Sequence, residues 1–585
     1  MNQRRERGQV MAIIGIDLGT TNSLAAVWRR GRSELIPNAA GEFLTPSVVS
    51  VDDDGTILVG RAAADRLVSH PDRTAAGFKR DLGTDQRRRL GSLSFSPEEL
   101  ASFVLRSLRQ DAEQFLGEPV EEAVLSVPAY FAEDQRAAAK RAAALAGLRV
   151  DRLINEPSAA AVAGADGKES LSLVFDFGGG TLDVSLVERF ENVISVTAVS
   201  GDNRLGGRDF DEAIARAFCR ETGLVYGNLS PRQRGILLRQ AESCKIALSF
   251  REPVLMAVND GEMAASLLLT GEWVIRKCGN LFRRMAAPVR KVFLDAGIAP
   301  AELDSLVLVG GSSQMPVVRG YIAGILGLEP ARIPRPDTAV ALGLGYCAGM
   351  KGGAADLREL VLTDVCPFTL GIDVLNRGEP GRPLMSPIIE RNSVLPASKE
   401  AFYRTSHDNQ DRVEIRIYQG EHRYCGDNLY LGKLSLDVAP APRGEQSVRV
   451  RFTYDINGLL EVEAIGGNGQ HSRLILRKGG MEETEALRRL EELKNLKLHP
   501  RNQETNRAVT ARGERLYAMT VGDLRNRVGQ TLDWFQHQLS SQEPLRIARA
   551  RRQTDRFFDQ VEAYLGDTAF PYAATEEPPE GEEDL

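Results

Sequence analysis

An apolar strand that runs straight into an aspartate, a glycine turn and a threonine is a demanding piece of sequence, and this chain carries it twice. The first copy is Ile13-Ile-Gly-Ile-Asp-Leu-Gly-Thr-Thr-Asn-Ser23 and the second is Leu173-Val-Phe-Asp-Phe-Gly-Gly-Gly-Thr-Leu-Asp183. Gly15 and Gly19 let the main chain bend and approach a ligand, while Thr20, Thr21 and Asn22 offer hydroxyl, amide and N–H donors to phosphate oxygens. Asp17 would repel those oxygens, a conflict that a bridging cation such as Mg2+ with its waters resolves. One copy alone reads equally well as a β-hairpin with threonine in its turn. Two copies, with Asp176 lying 176 − 17 = 159 residues after Asp17, favour turns that face each other across a cleft and clamp a polyphosphate. Gly178, Gly179, Gly180 and Thr181 are then the opposing jaw.

Other stretches fit around this pair. A third glycine turn follows an apolar strand at Leu306-Val-Leu-Val-Gly-Gly-Ser-Ser313, placing Gly310, Gly311 and Ser312 beside the cleft. Glu242, Lys245 and Ser249 fall on one face of a helical stretch, a spacing that serves a nucleoside or a solvated surface. Ser96 caps a predicted helix over Pro97–Leu116, and Gly117 stops it. Strands and helices alternate from Ile13 to Gly349, which predicts an α/β domain with its sheets covered on their faces. Lys79, in Ala-Gly-Phe-Lys-Arg, reads by itself as a surface lysine, and Glu156 as a helix-starting acid favoured by the dipole. Gly343-Leu-Gly-Tyr-Cys-Ala satisfies a dinucleotide fingerprint, but it follows no strand and lies in a helical run, so that reading is rejected. No P-loop, zincin or nucleophile-elbow motif is present.

Composition shifts at Lys351-Gly-Gly-Ala-Ala, and the charged stretch that follows contains Leu360, Val361 and Leu362. A spacer that apolar docks somewhere in at least one state. From Cys366 the hydrophobic period becomes two, as in Arg412–Tyr418 and Val448–Tyr454, with a tight Asn457-Gly458 turn; this predicts a β-sandwich. After Gly480 the pattern is helical over Glu482–Leu498, Asn506–Leu539 and Glu543–Leu565. The last ten residues carry six acids, a composition expected to stay disordered.

The 585 residues suffice for several domains, and a net charge of −7 offers no basic footprint for nucleic acid or an anionic membrane. Six scattered cysteines with no Cys-x-x-Cys pair point to a reducing compartment. Met1–Val10 is polar and basic with no signal-type apolar run after it, which leaves Met11 as an alternative start. No stretch approaches the ~20 apolar residues of a membrane span.

Taken together, IGIDLGTTNS, VPAYF, INEPSAAA, FDFGGGTLD, LGGRDFD, LVGGSSQMP and DNQDRVEIRIYQGE resemble the DnaK-type chaperones of the seventy-kilodalton heat-shock protein family, and most closely its HscC-like branch. The resemblance implies an α/β actin-like nucleotide-binding ATPase domain over 11–355, a linker over 356–366, a β-sandwich substrate domain over 367–480, a short helical lid over 481–566 and an acidic tail over 567–585. It implies an ATP-dependent chaperone of the stress response, cytoplasmic, holding ATP or ADP with Mg2+ and K+ as a candidate companion. Lys79 would position the attacking water and the γ-phosphate. Asp17 and Asp176, with Glu156 through water, would hold the metal; Thr181 and Asp183 complete the catalytic group. Glu242, Lys245, Ser249, Gly310, Gly311, Ser312 and Asp337 would contact the nucleotide. Gln314 stands where many relatives carry an arginine that stacks on adenine. Ile372, Leu375, Tyr403, Val413 and Ile415 would line a peptide pocket selecting extended apolar segments of client polypeptides. Leu360, Val361, Leu362 and Asp364 would couple the two domains. A J-domain partner would dock near Tyr130, Glu133, Arg152 and Asp364, and a nucleotide exchange factor is a further candidate partner. Two rival functions are a small-molecule kinase on the same actin-like fold and a slowly hydrolysing nucleotide sensor with few clients.

Overall fold

A computed structural model describes residues 12–568, except 164–168, 191–192, 262, 332–334, 355–356, 358–360, 380, 456–457, 477–487, 489–498 and 543. The two motif strands start two sheets in the same way. Ile13–Asp17 turns back antiparallel into Asn22–Arg29, and Ser170–Phe177 into Leu182–Phe190. Hairpin and candidate phosphate turn are therefore one object, the glycine-rich loop being the hairpin's bend. In the first sheet Glu122–Val127 and Leu153–Asn155 add in parallel on one side, and Arg32–Ile36 adds on the other. In the second, Ser305–Val309 adds in parallel and Val193–Asp202 antiparallel.

Helices Glu156–Ala163 and Ala339–Lys351 pack between the sheets, and here the rejected glycine pattern finds its use. A Cβ on Gly343 would lie 1.8 Å from the Ala159 carbonyl oxygen, and one on Gly349 would lie 2.4 Å from the Trp28 ring. Glycine is required because the helix backbone itself is the packing surface. The helix Pro97–Leu116 forms over its predicted span: Ser96 and Glu99 close a reciprocal capping box, and Gly117 ends it at φ 74°.

The chain then crosses to a sandwich of two four-stranded sheets. One orders Leu384–Ile389, Leu370–Val374, Arg412–Gln419 and Leu429–Asp437; the other orders Ala397–Arg404, Ser447–Tyr454, Leu460–Gly466 and His471–Leu476. Alternation sends Ile415 and Ile417 inward against Val450, Phe452 and Val462, giving a core separate from those of the sheets before it. A three-helix bundle follows, built by Glu504–Met519, Gly522–Ser540 and Pro544–Thr568 around Leu516, Phe535 and Phe558. The single helix expected over Asn506–Leu539 is two. The break falls at Thr520 and Val521, both extended, and at Gly522, whose φ of 60° lies in the left-handed region. The expected helix Glu482–Leu498, apart from Arg488, and Asn457 of the expected turn lie outside the described residues, as does the acidic tail beyond Thr568, its first two positions instead ending the last helix.

Between these parts Val361–Val365 adds as a parallel strand to the edge of Val193–Asp202, then pairs through Asp364 and Val365 with Val394–Leu395. Strand alternation turns Leu362 into the apolar cluster of the second sheet and leaves Val361 half exposed. Leu360 lies outside the described residues. Asp364 accepts a hydrogen bond from Asn155 Nδ2 at 2.7 Å, which fixes the strand to the start of helix Glu156–Ala163.

Candidate functional site

The two hairpin bends meet. A Cβ on Gly179 would fall 1.9 Å from Thr21 Oγ1, and one on Gly180 would fall 2.2 Å from Thr20 Cγ2, so only glycine lets the jaws approach this closely. Behind them opens a cavity of about 650 Å3, within the usual size of a small-molecule site. Its lining includes Asp17, Gly19, Thr20, Thr21, Asn22, Lys79, Glu156, Asp176, Gly178, Gly179 and Thr181, and on the far side Glu242, Lys245, Ser249, Gly310, Gly311, Ser312, Gln314 and Asp337. Residues more than 300 positions apart in sequence thus share one space. Two predicted residues lie just behind the lining. Asp183 faces Asp176 across the hairpin, and Gly180 gives its carbonyl to Arg80 Nε at 2.7 Å.

Lys79 is not a surface lysine. It sits on the short 3-10 turn Phe78–Asp81, is only 3% exposed, and donates to Glu156 at 2.6 Å, with the Phe131 ring 5.8 Å away. Burial works against its charge, but Glu156 and Asp17 outweigh burial and hold its pKa above the usual lysine value. Glu156 opens its helix as the sequence suggests, yet its carboxylate points at Lys79 rather than at solvent.

The acids around this pair are strained electrostatically. Burial, then Glu156, pushes Asp17 up to about 6, although Ser126 donates to it at 2.8 Å. Burial, then Glu156 and Asp183, pushes Asp176 well above the carboxylate range. Asp183 rises to about 7 for the same reasons, burial first and Glu156 second. Its Oδ1 accepts from the Tyr130 N–H at 3.1 Å, while Oδ2 is buried with no hydrogen-bond partner, as is Thr21 Oγ1. Such groups suit a bound cation and phosphate oxygens that satisfy them. Among the described residues no three metal-binding side chains converge closely enough to chelate an ion directly. The cation that fits is one retaining its waters, as Mg2+ does.

The far side was only partly legible. Helix Pro231–Ala247 carries Glu242 and Lys245, but Ser249 lies beyond its end, where the helix unwinds into a turn through Leu248. Lys245 pairs inward with Asp211 at 2.7 Å. Ile246 and Phe250 also line the cavity, 53% and 85% exposed, so apolar side chains stand on its open side. Their i, i+4 spacing from Glu242 through Ile246 to Phe250 was the available signal. Arg208 and Asp211, which no motif singled out by role, belong to the lining as well.

The remaining predicted residues separate. Ile372 and Ile415 are each 3% exposed inside the sandwich core, because alternation turns them inward, and so they do not line an open groove in this conformation. Tyr403 and Val413 are partly buried at the edge of that core, Tyr403 sharing a hydrogen bond with Ser386 at 3.1 Å, and Leu375 is exposed. Of the residues expected to receive a J-domain, Glu133 is sealed beneath the sandwich, receiving a hydrogen bond from Tyr454 Oη at 3.0 Å, and Tyr130 stacks near Phe368 at 4.7 Å. Asp364 is occupied by Asn155, which leaves Arg152 half-buried beside them. The same interface carries Arg391, which pairs with Asp295 at 2.5 Å and with Glu421 at 2.6 Å. At the other end, Arg549 of the last helix pairs with Glu188.

The family model described as Hsp70 protein matches residues 13–92 and 86–555. Among similar proteins, the chaperone protein DnaK of Thermotoga petrophila is 38% identical over 502 residues, covering 82% of this chain and 83% of the relative. The chaperone protein DnaK of Thermosipho melanesiensis is 39% identical over 482 residues, covering 79% of this chain and 80% of the relative. A match of this extent, running through both glycine-turn hairpins, the sandwich and most of the helical bundle, places the chain in the Hsp70 family.

Proposed function

We propose that the cavity between the two hairpin bends binds ATP with Mg2+ and hydrolyses it, and that this cycle governs capture and release of extended apolar peptides by the β-sandwich. As an Hsp70 protein the chain is an ATP-dependent chaperone and an ATPase. The observation that carries the assignment of the site is the buried Lys79–Glu156 pair at 2.6 Å, set among Asp17, Asp176 and Asp183 at the meeting of the two bends.

In this reading Thr20, Thr21, Thr181 and N–H groups of the two bends hold the phosphate oxygens, as glycine-rich turns can. Asp17 and Asp176, with Glu156 through water, would hold the Mg2+. The bound ion supplies charge neutralisation at the phosphates. Lys79 orients the γ-phosphate and the attacking water, and stabilisation of charge by the preorganised site as a whole supplies most of the rate. Asp183, pushed up to about 7 by burial and Glu156, is a water-positioning or proton-accepting group suited to neutral pH. K+ is proposed as a companion ion on the family resemblance. The apolar rim of Ile246 and Phe250, with Gln314 in place of an arginine, supports weaker electrostatic hold on the base and faster exchange.

The domain boundaries proposed for this cycle are 11–355 for the nucleotide-binding domain, 356–366 for the linker, 367–480 for the sandwich, 481–566 for the lid and 567–585 for the tail. The segment between Arg80 and Ser96 is shorter than the resemblance to DnaK itself would imply, a trimming shared with the HscC-like branch, and this is the support for proposing that branch. Tyr403, Val413 and Leu375 are the proposed peptide contacts. A J-domain co-chaperone would meet the face beside Arg152, an exchange factor remains a second proposed partner, and the buried free thiols of all six cysteines support a cytoplasmic setting.

Lys79→Ala tests the site. ATP binding should stay within about tenfold, while single-turnover hydrolysis falls by about two orders of magnitude as a preorganised charge is lost. Hydrolysis at the parental rate would remove Lys79 from the mechanism.

A further inference from the structure

Three cationic side chains line the cavity: Lys79, Lys245 and Arg208. Two are neutralised by an acid of their own, Lys79 by Glu156 at 2.6 Å and Lys245 by Asp211 at 2.7 Å. Arg208 is different. Among the described residues its guanidinium has no carboxylate within ion-pair distance and no hydrogen-bond acceptor; Glu242 and Asp211 attract it only from farther away, and Arg80 repels it. A guanidinium carries five donors in a fixed fork, and leaving that fork unmet in a largely enclosed place is costly.

Its placement says what should meet it. The Arg208 N–H donates to the Gly179 carbonyl at 3.0 Å, and the Gly207 N–H to that of Gly178 at 3.0 Å, so the residue is anchored on the second hairpin bend. Its far end reaches the other side of the cleft. Nη1 lies 2.1 Å from where a Cβ on Gly77 would stand, and Gly77, at φ 73°, leads into the turn that carries Lys79. The side chain therefore spans the cavity from one candidate phosphate turn to the lysine turn, and the glycine at 77 makes room for it.

We infer that Arg208 is a further binding residue for the nucleotide, closing over its polyphosphate chain and pairing with phosphate oxyanions that no protein carboxylate rivals. Planar, always charged and forked, arginine suits this role better than a point charge. The inference rests on the nucleotide reading of the cavity and deepens it.

Calorimetric titration of the full chain with ATP, ADP and adenosine tests it, comparing the parent with Arg208→Gln and Arg208→Lys. Arg208→Gln should weaken ATP and ADP by about ten- to a hundredfold, the usual worth of a hydrogen bond to a charged group. It should also flatten the salt dependence of ATP binding, while adenosine affinity stays within about twofold, since adenosine offers no oxyanion. Arg208→Lys should recover part of the loss, keeping the charge without the fork. ATP affinity equal to the parent's would overturn the inference, as would an equal loss for adenosine, which would make Arg208 a prop of the cleft. A parent that binds no ATP would instead sink the nucleotide reading itself.

Discussion

Removing one partner of the Lys79–Glu156 pair should expose how the site is held together. The lysine is 3% exposed and the pair is closed at 2.6 Å, so Lys79→Ala leaves Glu156 buried, without its cation, and beside three further carboxyls. Breaking a buried pair from one side typically costs about 3–5 kcal/mol. At roughly 2–4 °C per kcal/mol for a domain of this class, the thermal transition of the nucleotide-binding part should fall by about 6–20 °C. Glu156→Gln removes the stranded charge, so Lys79→Ala combined with Glu156→Gln should regain most of that loss while staying inactive. The four proteins of this cycle can be compared by scanning calorimetry without nucleotide. A single mutant as stable as the parent, or a double mutant no better than the single, would show that the pair is screened by solvent and that the burial argument fails.

The raised carboxyls fix a sign for pH. Asp183 titrates near 7 in the fold against the ordinary 3.8, so the folded state binds more protons between those values, and its contribution to stability is lost as pH rises through that window. Asp183→Asn should therefore gain on the parent from pH 4 to pH 7 without divalent cation, and a difference independent of pH would refute this. Leu362→Asp should undock the strand Val361–Val365 from Val193–Asp202, exposing a side chain whose burial is worth about 1.5–3 kcal/mol. ATP should then cease to accelerate peptide release, measured as off-rates of a labelled peptide with each ligand still bound. Gly343→Ala should destabilise by about 1–3 kcal/mol through overpacking against Ala159, and an unchanged denaturation midpoint would contradict the close approach of those helices.

How much of this was legible beforehand varied with the range of the interaction concerned. The helix Pro97–Leu116, the hairpin bends and the alternating strands of the sandwich are local, and their caps, glycines and periods are written in adjacent residues. The repetition of the Asp-glycine-Thr turn announced a cleft because two like turns had to face something common. Lys79 was illegible without the family resemblance, since a lysine's burial depends on Glu156, which lies 77 positions away in sequence. The glycines of Ala339–Lys351 looked like a nucleotide fingerprint, and only the approach of Ala159 and Trp28 gave them a packing role. Arg208 sat inside a recognised motif, yet its missing partner is a property of the assembled cavity. Ile372 and Ile415 carry the same alternation as a binding face or a core, and the second sheet decides for core. Local sequence determines which segments bend, pair and coil; which charges are matched, and which are left to meet a ligand, is set when distant segments close around one space.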